Sequence, residues 1–268
     1  MLTTRYLVVA LLFSYASANL HAETCVAPKQ RYSITNADRP FTLPPFMAEI
    51  DVIGKHTGLS QFAAKFSLSY GVIENFQFNF GYNGVKFELP FEVLEAENAF
   101  HLGFDYFLFE SSFASTMLDF DFPLYAEADV AVAQNLELNL VTSIPIYRPA
   151  RIGLTILHSG FINFFFYPLI GAEINLPVRL GWQATDAFWI GLGTNLAAFE
   201  INRIDSTGAY LSNEYFWTKT PIYLKALYGV TESFDFTGEI GFNDVQRDLG
   251  TNFYVSIGIG ARFGRMLD

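Results

Sequence analysis

From Tyr70 to Tyr82 the chain reads YGVIENFQFNFGY, and from Phe76 onward every second residue is aromatic (Phe76, Phe78, Phe80, Tyr82), with Gln77, Asn79 and Gly81 between them. A period of two puts rings on one face of a strand and polar groups on the other. Such a strand separates two different solvents. In a water-soluble sheet a second layer must cover the ring-rich face. In a membrane barrel that face meets lipid and the polar face lines a lumen. The phrase returns as YGVTESFDFTGEIGF, Tyr228 to Phe242, so the pattern belongs to the whole chain and not to one hairpin.

Composition points the same way. Aromatic residues make up 17% of the 268-residue chain, mean hydropathy is +0.25, and charged residues still reach 16%. A helical membrane protein gathers its apolar residues into uncharged runs of about 20. Here Asp and Glu interrupt nearly every apolar stretch at alternate positions. Leu154 to Ala172 comes nearest to such a run, but His158, Ser159, Gly160, Asn163 and Pro168 break it, and Phe164-Phe165-Phe166-Tyr167 is a poor helix former. It reads as a long extracellular loop folding over the barrel mouth and entering the next strand, with a single transmembrane helix as the alternative. The net charge of −11 argues against nucleic acid and against an anionic lipid surface as partners.

The first 22 residues read as a secretory signal peptide, with Arg5 in the n-region, Tyr6 to Phe13 as the apolar core and Ala16-Ser17-Ala18 or Leu20-His21-Ala22 as the cleavage site, a cut after Ala22 being favoured. Cys25 is the only cysteine, which excludes an intramolecular disulfide. Ala22-Glu23-Thr24 before it lacks the Leu-small-small pattern of lipidated precursors, so a free thiol is expected. Residues 23–45 carry Pro28, Pro40, Pro44 and Pro45 and read as a periplasmic lead-in or a short plug.

Residues 46–263 then read as one closed antiparallel transmembrane β-barrel. Twelve strands are expected, at 46–55, 61–70, 76–83, 98–108, 114–123, 125–133, 136–147, 169–181, 188–199, 221–228, 234–243 and 252–263. An even count brings both ends to the periplasmic side. The assignment needs a very tight extracellular turn at Phe122-Pro123-Leu124; without it the count falls to ten. Short polar turns at 71–75, 134–135, 183–187 and 229–233 alternate with longer stretches at 84–97, 148–168, 200–220 and 244–251, and short turns are periplasmic in such barrels. Rings flank those turns (Tyr70, Phe76, Trp182, Phe188, Tyr228, Phe234) in the manner of an interfacial girdle. Phe78, Phe104 and Phe236 are expected to face lipid.

Ser256 to Phe263 resembles the C-terminal signal of outer-membrane proteins that the barrel-assembly machinery reads, although GRMLD, 264–268, follows where that signal ordinarily stops. Asp38-Arg39-Pro40-Phe41-Thr42-Leu43-Pro44 and the two turn phrases resemble uncharacterised bacterial outer-membrane β-barrel proteins, and are similar to the MetA-pathway phenol degradation transporter-like barrels. The resemblance covers most of the chain after residue 22. It implies an integral barrel of a Gram-negative outer membrane and brings no catalytic or binding residue.

The phase opposite the rings carries Glu49, Asp51, Lys65, His101, Asp105, Asp119, Asp121, Glu127, Asp129, Glu137, Glu173, Arg179, Lys225, Asp235, Glu239 and Arg262, eleven acids against four fixed cations. A charge facing lipid costs about 2–4 kcal/mol for Lys or Arg near the midplane, so the sorting has a physical cause. One reading is an acidic, water-filled path that favours cationic or neutral solutes. The other is a lumen closed by hydrogen bonds and ion pairs of Lys65, Arg179 or Arg262, narrowed by Tyr125, Tyr147, Tyr223 and Tyr254. Gly81, Gly103, Gly191, Gly193, Gly258 and Gly260 on that phase either open room or permit curvature. A porin-like or solute-uptake channel is therefore expected, with a non-conducting barrel acting through its extracellular loops as the alternative.

No enzyme or cofactor is implied. His158-Ser159 is the one adjacent His/Ser pair, no Asn or Asp stands at the spacing an orienting group needs, and no metal-ligand spacing occurs.

Overall fold

The computed structural model describes residues 33, 35–57, 61–82, 86–88, 92–93, 99–127, 130–133, 135–166, 170–204, 220–246 and 252–264. The expectations for residues 1–22, for Cys25, for 265–268 and for most of 84–97 and 200–220 lie outside them. Among the described residues sixteen segments form one sheet: β1 (Met47–Thr57), β2 (Gln61–Ile73), β3 (Phe76–Tyr82), β4 (Lys86–Glu88), β5 (Glu92–Val93), β6 (Ala99–Glu110), β7 (Ser115–Glu127), β8 (Val130–Ala133), β9 (Asn135–Tyr147), β10 (Ile152–Ile156), β11 (Ile162–Phe165), β12 (Ile170–Gln183), β13 (Phe188–Ile204), β14 (Ile222–Thr231), β15 (Phe234–Phe242) and β16 (Phe253–Gly264). Every pairing is antiparallel, and β1 pairs with both β16 and β2, so the sheet closes. β8 leads into β9, β10 and β11 are two halves of one strand between β9 and β12, and β4–β5 is a small hairpin extending the β2–β3 end. Twelve staves ring the barrel.

The barrel is inside out compared with a soluble domain. Gln77, Asp105, Asn139, Asn175, Asn195, Asp235 and Arg262 are buried, whereas Leu192, Phe78, Ile257 and Phe263 are each at least 55% exposed. Polar side chains can bury only where they find partners, and apolar ones can stay outside only where the outer medium is itself apolar. A cross-strand row Leu180, Leu192, Leu224, Ile240 forms an aliphatic belt on the outer face. Nearer the short turns the same strands present Trp182, Phe188, Tyr228 and Phe236. On β3, β6 and β7 the outer rings stack, with Phe104 centred 5.9 Å from Phe76 and 4.6 Å from Phe120. No helix among the described residues is long and apolar enough to cross a membrane.

Two boundaries differ from the sequence reading. Segments 114–123 and 125–133 are not two strands joined by a turn at Phe122-Pro123-Leu124; the chain runs straight through as β7. Pro123 fits because the neighbour changes there. β7 pairs with β9 as far as Asp121↔Glu137 and with β8 from Leu124↔Ala133, so the residue lacking an N–H sits where the ladder is already broken. Asn135, expected in a short turn with Gln134, consequently begins β9, and Gln134 lies outside the described residues.

The second difference is that the described part of 148–168, residues 148–166, is neither an extracellular loop nor a helix. A short 3-10 turn, Arg148–Ala150, joins β9 directly to β10, and β10–β11 is a stave of the wall. One strand too many at 114–133 and one too few at 152–165 leave the count at twelve.

β10–β11 escapes a period-two reading because residues 157–161 stand where β12 has only three, 175–177. Leu157 and Gly160 take positive φ, 55° and 63°, and turn the extra chain out of the wall. Its hydrogen bonds, described next, show that it turns inward.

Candidate functional site in the barrel lumen

One wall is acidic. β6 to β9 present Asp105, Asp119, Asp121 and Glu137 inward, and no Lys or Arg occurs between Lys86 and Arg148. Amides hold three of these acids. Gln77 Nε2 donates to Asp105 Oδ2 at 2.9 Å, and Asn139 Nδ2 donates to Asp119 Oδ2 at 3.0 Å and to Glu137 Oε1 at 2.8 Å. Asp121 Oδ2 lies 2.9 Å from His101 Nδ1. A carboxylate supplied with such donors keeps its place and its direction.

The inward fold of 157–161 rests on this wall. Gly160 N–H donates to Glu137 and Phe161 N–H to Asn139 Oδ1 at 2.9 Å. Asn175 Nδ2 donates to Gly160 O at 2.8 Å, and Asn195 Nδ2 to Asn175 Oδ1 at 2.8 Å. A ladder of amides thus runs from β3 to β13. From the fold, His158 reaches across β12 and β13, its Nε2 3.1 Å from Tyr223 Oη on β14, with Nδ1 3.1 Å from Ser159 Oγ. The adjacent pair does meet, inside the barrel. The second ring nitrogen is taken by a phenol instead of a carboxylate, and among the described residues no orienting acid completes a triad.

The facing wall, β12 to β2, is rich in cations and rings. One cross-strand row carries Lys225 (β14), Glu239 (β15), Ser256 (β16) and Lys55 (β1); Lys65 on β2 sits opposite Ile53. Arg179 on β12 stands opposite Gly193, which stands opposite Tyr223. A Cβ on Gly193 would lie 2.2 Å from Tyr223 Cζ, and one on Gly191 2.4 Å from the Trp189 ring, so these glycines seat rings flat against the wall. The Arg179 guanidinium lies 5.2 Å from the Trp189 ring centre, and Lys55 Nζ lies 4.1 Å from that of Tyr254. Tyr254 Oη donates to Glu239 Oε1 at 2.7 Å. A cavity of ≈ 200 Å³ opens here, lined by Ile53, Lys55, Lys225, Thr237, Gly238, Glu239 and Ser256.

Residues 35–46 cross the short-turn end of the barrel. Ala37 N–H donates to Gln183 Oε1 on β12, Leu43 N–H to Gln77 Oε1 on β3 at 2.8 Å, and Phe46 N–H to Gly71 O on β2 at 2.7 Å. The Phe41 ring stacks on Phe107 of β6 at 6.1 Å. Arg39 forms a two-point pair with Asp235 (2.6 and 2.7 Å), and Asp235 also takes Arg262, which in turn reaches Glu49 at 2.8 Å. The two forks anchor the segment on β15 and β16.

Among the stave residues whose side chains are described, the inward phase holds these nine acids: Glu49, Asp51, Asp105, Asp119, Asp121, Glu137, Glu173, Asp235 and Glu239. Against them stand five strand cations, Lys55, Lys65, Arg179, Lys225 and Arg262, together with Arg39 from the crossing segment. Asp129, and the side chains of Glu127 and Tyr125, lie outside the described residues. Tyr223 and Tyr254 stand on the inward phase, whereas Tyr147 is 55% exposed at the short-turn end. The expected ion pairing holds for Arg262 and not for Lys65 or Arg179, neither of which pairs with a described carboxylate. Sequence reading missed Lys55, although it shares the parity of Glu49 and Asp51. It also missed Arg39, which lies outside any strand.

A closed ring of twelve antiparallel strands with a polar interior is a porin-type barrel fold. The chain is similar to the solved KdgM porin, at 12% identity over 80% of this chain and 99% of that one, with a TM-score of 0.50. It is likewise similar to the KdgM porin in complex with disordered oligogalacturonate (11%, 80% and 99%, TM-score 0.50) and to the NanC porin (10%, 81% and 99%, TM-score 0.51). At these identities the likeness is one of fold. No protein-family model matches the chain, and no curated protein matches it in sequence.

Proposed function

We propose that the protein is an integral outer-membrane, porin-like channel with a modest preference for cations. The observation that carries this reading is the sorting of polarity: an apolar belt outside, a polar and ionisable surface inside, and one lumen wall that is wholly acidic among its described ionisable groups apart from His101. The resemblance to transporter-like outer-membrane barrels supports the same class. Nine acids against six cations make the sign preference weaker than the sequence reading implies. The strand β16, which carries the C-terminal signal, is the segment proposed to be read by the assembly machinery.

Reconstitution into a planar bilayer tests the proposal. Stepwise openings with a reversal potential displaced toward the cation side of a KCl gradient are expected. Verified folded protein in a silent membrane refutes it. A second reading, a non-conducting barrel acting through its outer loops, is favoured by one observation: residues 35–46 lie across the short-turn end while 157–161 fold into the lumen. Removing residues 35–46 separates the two, because a channel stoppered at that end gains conductance and a solid barrel does not.

A further inference from the structure

The cations of the β12–β2 wall are placed differently from those at the short-turn end. Arg39 and Arg262 are matched by Asp235 and Glu49. Lys55, Lys225 and Arg179 form no ion pair with any described carboxylate, and Arg179 Nε is buried with no hydrogen-bond partner among the described residues. Glu239 is the acid nearest in register to Lys225, and its carboxylate already accepts the Tyr254 hydroxyl at 2.7 Å. On the same wall Glu49 and Asp235 are taken by Arg262 and Arg39, and Asp51, Glu173 and Glu239 stand beyond ion-pair distance of these three cations, while Asp105, Asp119, Asp121 and Glu137 are held on the opposite wall by Gln77, Asn139 and His101. Cations that are partly removed from water and lack a directly paired counter-charge stabilise an anion that enters. Lys55 and Lys225 line the same ≈ 200 Å³ cavity, so the space for that anion exists.

We infer that this cavity is an oxyanion subsite, taking the carboxylate or phosphate group of a small solute between Lys55 and Lys225, with Arg179 on the approach. The inference rests on the channel reading for its biological sense but not for its measurement. Ser256 supplies a neutral hydroxyl beside the cations, and Tyr254 holds one oxygen of Glu239. A solute that also carries a cationic or hydroxylated end has the acidic wall to face. The lumen then acts by opposing two surfaces of unlike sign across one passage, which selects by the arrangement of charge on the solute as well as by its total.

The test is equilibrium titration of full-length folded protein in detergent with gluconate and, separately, inorganic phosphate, read by calorimetry and by the fluorescence of Trp189, which lies against Arg179. Saturable binding of at least one probe is expected, about tenfold weaker in Lys225→Gln and in Lys55→Gln. Binding should be kept by Lys225→Arg and unchanged in Leu180→Ala, on the outer face. Saturation by gluconate alone assigns the site to carboxylates, and by phosphate alone to phosphates. Absence of saturable binding to the wild-type protein overturns the inference whatever the variants do, as does equal binding by wild type and both Gln variants. Bilayer recordings on the same preparations separate the two readings. Conductance without saturable binding removes the subsite and leaves the channel; binding in a silent membrane removes the channel and leaves the subsite.

Discussion

Replacing Leu192 with Arg puts the membrane assignment to its most direct trial. Leu192 is 55% exposed and stands in the outer row with Leu180, Leu224 and Ile240. It lies four residues from Phe188, where β13 leaves the short turn. At about 3.4 Å per residue and a tilt near 40°, that is about 10 Å above the ring girdle, close to the middle of an apolar band about 25 Å tall. An Arg there costs about 2–4 kcal/mol, a factor of about 30 to 700 in the folding equilibrium. The same residue at Tyr228, in the girdle itself, costs about 0–1 kcal/mol from its charge. Urea titration of folding into vesicles, followed by heat-modifiable gel migration, measures both. The expected order is wild type, Tyr228→Arg, then Leu192→Arg, with Asp119→Asn assembling normally because Asp119 faces the lumen. If Leu192→Arg folds as well as Tyr228→Arg while Asp119→Asn fails, the two faces of the barrel are reversed and the acidic wall lies outside.

Three further outcomes are expected. Asp235→Asn leaves Arg39 and Arg262 confronting each other without their shared carboxylate, a loss of about 3–5 kcal/mol for so buried a pair, so chymotrypsin should cleave after Phe41 in the folded barrel where the wild type is protected; equal protection contradicts the anchoring role. Gly193→Ala drives a Cβ to 2.2 Å from Tyr223 Cζ and should destabilise by about 1–3 kcal/mol, with the loss recovered in a Tyr223→Ala background, which a double-mutant cycle measures. Asn139→Leu strips donors from Asp119 and Glu137 and the acceptor from Phe161 N–H, at about 1–3 kcal/mol per group left unpaired; denaturant midpoints indistinguishable from wild type would show that the inward fold does not depend on that amide.

The barrel and its stave count were legible because lipid and water impose one rule on every strand, and YGVIENFQFNFGY states that rule in a few residues. What stayed hidden depends on contacts the rule does not govern. Pro123 resembles a turn until the change of partner from β9 to β8 is known. Leu154 to Phe166 carries apolar residues on both phases and an interruption in the middle, so its alternation is invisible on its own. In the lumen, parity alone reached the acids and would have reached Lys55. It gave no sign that Asn139, Asn175 and Asn195 join into a ladder, since each amide gains its meaning from a strand distant in sequence. Arg39 carries no periodic signal at all, being placed by a carboxylate 196 positions away.

The inward fold at 157–161 also obeys a rule of parity. It adds two residues relative to β12, so Ile162 and Phe164 return to the same face as Ile156, and Asn163 to the lumen opposite Glu173. Had one residue been added without a bulge to absorb it, everything beyond it would have been turned over, with Asn163 in hydrocarbon. β13 shows the other solution: three steps from Asn195 to Ala198 stand against two on β12, and both residues still face inward. Insertions and deletions within the staves of related barrels should therefore be even in number or coincide with such bulges, whereas those in the turns are free of the restriction.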